Sequence, residues 1–201
     1  MKVYLPAHFV EKNPKVIEKI VAENPLATII ATIKSELKIN HIPLQLTDDN
    51  KLIGHVAANN EIAFCEDGQL VTAVFNGENA YISPNWYPTK FKDHKKVPTW
   101  NYQVVHMSGT LTVLTDVESK LAAVSSLTDW QEGLTNGEDA WRLSDAPEDF
   151  IAQLVNFIAV IVIDIDKIEA KSKVDQHREA VDFASVTEIL KQAGKKFIYE
   201  E

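Results

Sequence analysis

The first half of the chain alternates between short apolar, β-branched runs and polar turn residues, a pattern that predicts strands joined by tight connections. The polar stretch Lys34-Ser35-Glu36 separates the first two runs and predicts a hairpin, and Asp48-Asp49-Asn50 predicts a second turn. Asn76-Gly77-Glu78-Asn79 contains the Asn-Gly pair that is typical of a tight turn. Strands are therefore expected at residues 26–33, 37–46, 51–57, 70–75 and 80–82.

Two further strands are expected in the second half of the chain. Residues 104–115 alternate, with Val105 on the apolar face and His106 on the polar face. Residues 157–165 form a continuous apolar run rich in Ile and Val, which predicts a strand buried on both faces. The charged residues 167–178 are expected to be irregular.

Helical spacing of apolar residues occurs near both ends and in the late middle of the chain. Asn13-Pro14 supplies an N-cap followed by proline at the first helical position, and Asn24-Pro25 ends that helix. Further helices are expected at residues 59–64, 116–130 and 181–193, with another that begins at Pro147.

Together, six or seven strands with short connections favour a mainly β (α+β) fold, an antiparallel barrel with peripheral helices, over a doubly wound sheet. We expect one barrel domain at residues 1–170, and a tail and helix at residues 171–201 that pack on the same domain or on a partner subunit.

Composition narrows the choice of partners and compartment. The formal charge of −9, from 29 acidic and 20 basic residues among 201, gives no long-range attraction to nucleic acid or anionic membranes. The single cysteine, Cys65, excludes an intrachain disulfide and fits a reducing compartment. The chain shows neither a signal-like apolar stretch nor an uncharged run of transmembrane length. These features predict a cytoplasmic protein without a membrane segment.

Candidate ligand-binding residues are most concentrated in residues 81–88 and 97–102. These two stretches contain five large aromatic side chains and three prolines. Aromatic rings with polar ends suit a flat ligand, because the rings provide stacking area and the hydroxyl, indole and amide groups fix its orientation. The same residue types also suit a rigid loop that plugs a barrel end or forms a dimer contact. Residue types alone leave these two interpretations at roughly even odds.

The remaining candidates are isolated polar side chains on strands and in one basic loop. His41, His55 and His106 lie on predicted strands without metal-ligand spacing, so no metal site is expected, and His106 is the better ligand candidate. Most of the basic run at residues 90–96 is expected to be solvated, whereas Lys90 directly follows the aromatic residues and is a candidate phosphate ligand. With no nucleophile elbow or phosphate loop present, catalytic residues stay unknown.

Several short motifs occur in an order that resembles one known family, the FMN-binding negative transcriptional regulators of the PaiB type. The resemblance covers nearly the whole chain, and its most distinctive part is residues 80–90 and 97–106. The other matching segments are Tyr4-Leu5-Pro6-Ala7-His8-Phe9, Asn40-His41-Ile42-Pro43-Leu44, Leu52-Ile53-Gly54-His55-Val56-Ala57 and Leu143-Ser144-Asp145-Ala146-Pro147.

This resemblance implies an FMN-binding split β-barrel, a homodimer, and FMN near the subunit interface. Lys90, Ser83 or Thr99 would bind the phosphate of FMN, and Trp86 and Trp100 would contact the flavin ring. The residues expected to line or border the flavin are His41, His55, Ser83, Trp86, Lys90, Thr99, Trp100, Asn101 and His106.

Two departures from the family pattern lower the expected flavin affinity. Ala58 stands where the family usually has an arginine, whose guanidinium could hold a flavin phosphate with two hydrogen bonds. The basic pattern near the C-terminus, residues 171–177, keeps its lysines but loses an asparagine.

The resemblance implies a regulatory or sensor protein that affects transcription, and the interpretation leans away from an enzyme. Direct DNA binding is doubtful, because the charge is acidic and no helix pair has a basic recognition face. The alternatives are a flavin-dependent oxidoreductase and a homologue that has lost flavin binding.

Overall fold

The computed structural model describes residues 3–199. Within this range the strands are β1 (Val10–Glu11), β2 (Leu26–Ile33), β3 (Glu36–Pro43), β4 (Gln45–Leu46), β5 (Lys51–Ala57), β6 (Gln69–Ile82), β7 (Thr99–Leu114) and β8 (Ile158–Lys173). The α-helices are α1 (Pro14–Glu23), α2 (Lys90–Asp93), α3 (Val117–Asn136), α4 (Glu148–Leu154) and α5 (Ala180–Gln192). None of the helices in this part of the chain has the length and apolar character needed to span a membrane.

The strands form one antiparallel sheet in the order β3-β2-β6-β7-β8-β5-β4, and β1 pairs with β8. The sheet of the described residues is open, with β3 and β4 at the two ends of the order. In the hairpin, Ile30 of β2 pairs with Ile39 of β3. The predicted antiparallel sheet with peripheral helices is confirmed, with eight strands in residues 3–199 where the pattern predicted six or seven.

The chain forms two compact units. The first unit contains the described residues up to Asn24, Phe75–His106, and the described residues from Ile168 onward. The second unit contains Pro25–Val74 and Met107–Lys167. The expected division at residue 170 stays a prediction.

Local chemistry explains several elements where they were expected. The Asn13 side chain accepts a hydrogen bond from the Lys15 amide, and Pro14 opens α1, as the N-cap pattern predicts. Lys34 and Ser35 both have positive φ, the conformation that joins two strands through a tight hairpin turn. Gly194 follows α5 with φ +74°, a value that glycine adopts without steric cost.

The predicted turn at residues 76–79 is wrong, because β6 runs without a break from Gln69 to Ile82. Its buried positions are odd-numbered up to Phe75 and even-numbered from Ala80, a change of phase that indicates a bulge. Gly77 lies within this bulge, where an added Cβ would come within 3.2 Å of the Gln103 backbone oxygen. Asn-Gly therefore marks a close backbone approach in this chain, which is the other common reason for glycine in a strand.

Two segments expected to be irregular belong to strands. β8 continues to Lys173, so the prediction for residues 167–178 is wrong over its first half. β7 begins at Thr99, so the last part of the aromatic region lies in a strand with buried residues alternating from Asn101. Both predictions failed because charged and aromatic side chains interrupt the apolar pattern without interrupting the backbone pairing.

A hydrophobic cluster in the first unit packs part of the aromatic region against the C-terminal helix. Tyr87 is fully buried in this cluster, and Trp86 packs against it. Burial of an aromatic side chain of this size stabilises the fold by roughly 1.5–3 kcal/mol. The buried members are Ala80, Ile82, Tyr87, Val174, Val186, Leu190 and Phe197.

Candidate functional site

The aromatic segment, residues 81–102, is anchored by a buried tyrosine. The Tyr87 hydroxyl donates to the carboxylate of Asp175, with its oxygen 3.2 and 3.1 Å from the two carboxylate oxygens. Burial and the negative charge of Asp175 raise the pKa of Tyr87 to about 12, so the phenol stays protonated as a donor. The middle of the segment is therefore fixed to the turn that follows β8.

A second buried carboxylate holds the same segment two residues further on. The backbone amide and hydroxyl of Thr89 donate to Asp182 at 3.0 and 2.5 Å, and the Lys96 ammonium lies 3.6 Å from the same carboxylate. Burial works to raise the pKa of Asp182, but the hydrogen bonds from Thr89 and the charge of Lys96 outweigh it and lower that pKa. Asp182 is therefore an ionised anchor on α5.

The basic run near Lys90 is engaged in local pairing. The Lys90 ammonium donates to the side-chain oxygen of Asn85, and Lys92 forms an exposed ion pair with Glu179. Exposed pairs of this kind contribute little energy, but they satisfy the charges. Lys90 stays a predicted phosphate ligand, since its ammonium has two further donors besides the one that binds Asn85.

Ser83 and Trp86 have structural contacts of their own. The Ser83 hydroxyl accepts a hydrogen bond from the Asn85 amide at 3.2 Å and caps a short turn. The Trp86 backbone carbonyl accepts a hydrogen bond from the Ser185 hydroxyl at 2.8 Å. The flavin contacts predicted for both residues stay predictions.

Lys173, at the end of β8, belongs to the basic pattern at residues 171–177 but was not among the predicted site residues. Its ammonium donates to the Thr99 hydroxyl at 2.5 Å and to the Trp100 carbonyl at 2.7 Å, two neutral acceptors. Burial is the main cause that lowers the pKa of Lys173; Tyr102 and Asp175 act to raise it, whereas the charges of Lys171 and Arg178 act with burial. This lysine therefore lies in surroundings that favour an additional negative charge.

Aromatic rings are exposed next to this lysine. Trp100 and Tyr81 are each 51% exposed, and their ring centroids lie 6.1 Å apart in an edge-on arrangement. The Trp100 indole nitrogen donates to the side-chain oxygen of Asn79 at 3.2 Å, which fixes the ring. We call the group of Tyr81, Thr99, Trp100 and Lys173 the aromatic-lysine face, in which Lys173 contacts Trp100 through the backbone carbonyl.

Asn101 and His106 lie further along β7 and are less accessible. The Asn101 amide nitrogen donates to Asp175 at 3.1 Å, and only 1% of the residue is exposed. Among the described residues the Asn101 side-chain oxygen and His106 Nδ1 are buried without a hydrogen-bond partner. Burial lowers the pKa of His106, while the nearby Glu169 acts to raise it. A buried water would satisfy these two atoms.

The second unit contains the other two candidate histidines. His41 Nδ1 lies 3.1 Å from the hydroxyl of Thr28 on the neighbouring strand. His55 borders a cavity of about 330 Å³, and burial lowers its pKa. The other residues that line the cavity are Pro43, Val124, Leu127, Thr128, Trp130, Gln131 and Glu132.

The turn after β5 carries the alanine that departs from the family pattern. The Ala58 amide donates to the Phe157 carbonyl at 2.8 Å. The Asn60 side chain donates to Asn40 at 2.9 Å and accepts from the Ile62 amide. This turn thus has an ordered backbone, but its alanine provides no cation for a phosphate.

The structure brings one group of the predicted residues together, and two predicted histidines belong to the second unit. Thr99, Trp100 and Asn101 lie near Lys173 and Asp175 in the first unit. His55 borders the cavity in the second unit, and His41 lies on β3 of that unit. Within residues 3–199, no three His, Cys, Asp or Glu side chains cluster so as to hold a metal ion.

Comparison with known protein families gives a match over most of the chain. The profile of the family described as "Putative FMN-binding domain" matches residues 3–167. The chain belongs to this FMN-binding domain family. The match ends before Lys173 and Asp175, although the basic pattern at residues 171–177 resembles that of the PaiB-type proteins.

Bacterial and fungal proteins are similar to the chain over most of its length. Protease synthase and sporulation protein PAI 2 of Bacillus subtilis is 31% identical over 195 residues, which cover 94% of this chain and 89% of that protein. An uncharacterized protein of Aspergillus fumigatus is 29% identical over 96% of this chain and 92% of its own length. The predicted PaiB-type resemblance is therefore confirmed.

Two solved structures of flavin-binding proteins share the fold of this family member. The flavocytochrome Anf3 from Azotobacter vinelandii superposes with a TM-score of 0.64 at 13% identity, over 92% of this chain and 78% of that chain. The FAD and heme binding protein from Mycobacterium smegmatis superposes with a TM-score of 0.60 at 12% identity, over 82% of this chain and 73% of that chain. The predicted split β-barrel is therefore confirmed at the level of fold.

Proposed function

We propose that the chain binds FMN on the aromatic-lysine face and acts as a regulatory or sensor protein that affects transcription. The observation that carries the proposal is the ammonium of Lys173, which is half-buried and bonded to two neutral acceptors beside an exposed indole. FMN combines a dianionic phosphate with a flat ring, and this face offers a partner for each.

The charges around Lys173 suit a phosphate. Lys171 and Arg178 add two positive charges near it, and Asp175 adds one negative charge. A bound phosphate would offset the burial that lowers the pKa of Lys173, and charge-assisted hydrogen bonds of this kind are strong. Thr99 supplies a hydroxyl at the same place.

The rings of Trp100 and Tyr81 suit the flavin. Both are half exposed, and the hydrogen bond from Trp100 to Asn79 orients the indole before any ligand arrives. Preorganised aromatic surface of this kind lowers the entropy lost on binding. When bound, FMN would supply the redox chemistry, and the protein would supply binding and orientation.

The regulatory part of the proposal is supported by family membership and by surface charge. The Bacillus subtilis relative is named for protease synthase and sporulation. Two lysines of the basic loop, Lys92 and Lys96, are paired with acidic residues of this chain, so direct DNA binding is not proposed. Regulation would then act through a partner protein.

Titration of the purified chain with FMN and with riboflavin tests the cofactor. We expect flavin absorbance to remain with the protein after desalting, and FMN to bind at least about tenfold more tightly than riboflavin because of its phosphate. Equal affinities would contradict the phosphate site, and absence of binding would contradict the whole proposal. FMN-dependent consumption of NADH or NADPH would instead indicate an oxidoreductase.

We further propose a homodimer that forms through the outer face of β2 and β3. The apolar side chains Leu26, Leu37 and Ile39 are between 57% and 64% exposed there. The pairing of Ile30 with Ile39 joins these positions into one surface, and β3 is at the end of the strand order. An exposed apolar face next to an edge strand is typical of an interface.

Ile39→Glu is expected to convert this dimer into a monomer. The new carboxylate would be buried against apolar side chains, which costs several kcal/mol without a partner. Light scattering after size-exclusion chromatography measures the mass, and Val117→Glu on exposed α3 is the control that should stay dimeric. A dimer that persists in Ile39→Glu would place the interface elsewhere.

A further inference from the structure

A single buried carboxylate connects the aromatic segment with the strand that carries Lys173. Asp175 is fully buried, and its oxygens accept hydrogen bonds from the Tyr87 hydroxyl, the Asn101 amide at 3.1 Å and Arg178 Nε at 3.5 Å. The Arg178 guanidinium also lies 4.9 Å from the centre of the Tyr87 ring. The carboxylate is thus surrounded by two donors from the aromatic segment and one from its own turn.

The backbone around Asp175 is held in a tight turn. Its φ of +64° lies in the left-handed region, which aspartate and asparagine tolerate better than most residues. The Arg178 amide donates to the Asp175 carbonyl at 2.9 Å, and the Val174 amide donates to the Gln176 side chain at 2.9 Å. The position of Lys173, two residues earlier, depends on this turn.

The donors to Asp175 are close in sequence to the aromatic-lysine face. Asn101 follows Thr99 and Trp100 on β7, and both of those residues accept hydrogen bonds from Lys173. The hydrogen bond between Asn101 and Asp175 therefore holds together the two backbone segments that carry Thr99 and Lys173. Neither Asp175 nor Asn101 is accessible to a ligand, since they are 0% and 1% exposed.

We propose that Asp175 is a positioning residue, which sets the spacing of Lys173 and Thr99 for the phosphate of the flavin. The proposal rests on the proposed function and goes beyond it, because it explains phosphate selectivity by a group that does not touch the ligand. It also gives Asn101 an indirect role in place of the direct contact that the sequence suggested. Groups behind a binding site commonly change affinity in this way, by holding the contacting groups in place.

The ratio of riboflavin to FMN dissociation constants separates positioning from a purely structural role. Asp175→Asn keeps the size of the side chain, and asparagine tolerates the same left-handed backbone conformation. It replaces one carboxylate oxygen with an amide nitrogen, which cannot accept the hydrogen bonds donated to Asp175. We expect this substitution to weaken FMN binding about tenfold and riboflavin binding less than twofold. Tyr87→Phe removes a single donor to Asp175 and should reduce the ratio of the riboflavin to FMN dissociation constants by about threefold. This variant tests the proposal even if Asp175→Asn does not fold.

Asp182→Asn is the matched control, because Asp182 is equally buried and holds the same aromatic segment through Thr89. The Asp182→Asn substitution should lower the melting temperature and leave the ratio of the riboflavin to FMN dissociation constants unchanged. Equal weakening of FMN and riboflavin in Asp175→Asn and Tyr87→Phe would overturn the positioning role. If the unmodified chain does not prefer FMN over riboflavin, the proposed FMN site is wrong. If the unmodified chain prefers FMN but Asp175→Asn and Tyr87→Phe keep that preference, only the positioning role of Asp175 is wrong.

Discussion

Replacement of Lys173 by glutamine is expected to weaken FMN binding by roughly 30-fold, since a charge-assisted hydrogen bond contributes about 2 kcal/mol. Riboflavin lacks the phosphate, so its affinity should change by less than about twofold. Glutamine retains a hydrogen-bond donor that can reach Thr99 or the Trp100 carbonyl, so the loss reports on the charge. Equilibrium titration of flavin fluorescence at fixed ionic strength measures both affinities.

Two further variants show whether the effect belongs to this lysine. Lys173→Arg restores the positive charge and should recover part of the FMN affinity. Lys90→Gln is the matched control, because Lys90 was the lysine that the sequence favoured for phosphate and its ammonium already binds Asn85. If Lys90→Gln lowers FMN affinity more than Lys173→Gln does, the phosphate lies at the aromatic segment and the assignment to Lys173 is wrong.

Lys173 was not predicted as a site residue because its contacts are long-range. Its partners Thr99 and Trp100 are more than seventy residues away, and no local spacing encodes that contact. The resemblance includes the lysines of residues 171–177, but it does not tell which of them meets the aromatic segment. By contrast, Thr99 and Trp100 were predicted as site residues through the resemblance, because they lie in its most distinctive segment.

Secondary structure was predicted well where one local rule dominates. The hairpin of β2 and β3 and the capped start of α1 follow from turn and N-cap chemistry within a few residues. Gly77 was misread because the same Asn-Gly pair serves a turn or a bulge, and only the contact with Gln103 decides between them. The C-terminal part of β8 was missed because buried lysines do not match an apolar pattern, although Lys171 is covered by aromatic rings.

Asp182→Ala is expected to lower the free energy of unfolding by roughly 3 kcal/mol, because two donors of Thr89 lose their only strong acceptor in a buried place. Alanine also leaves the ammonium of Lys96 without its nearest carboxylate. For a chain of this length the melting temperature should fall by about 10 °C. Chemical denaturation followed by tryptophan fluorescence measures the free energy, and circular dichroism measures the melting temperature.

The exposed carboxylate of Glu179 is the matched control on the same part of the chain. Glu179→Ala removes an ion pair with Lys92 and should change stability by no more than about 0.5 kcal/mol. Thr89→Val removes the hydroxyl and keeps the amide bond to Asp182, so its effect should be intermediate. Similar losses in Asp182→Ala and Glu179→Ala would mean that burial of Asp182 contributes little.

The pH dependence gives an independent measure of the same anchor. The pKa of Asp182 is lowered in the folded chain, so the carboxylate stabilises the fold fully above its unfolded pKa of about 3.9. This contribution is lost as the pH falls through the lower, folded value. The stability difference between the unmodified chain and Asp182→Ala should therefore be constant near neutral pH and narrow below about pH 4. A difference that does not change with pH would mean that the ionised carboxylate is not what holds Thr89.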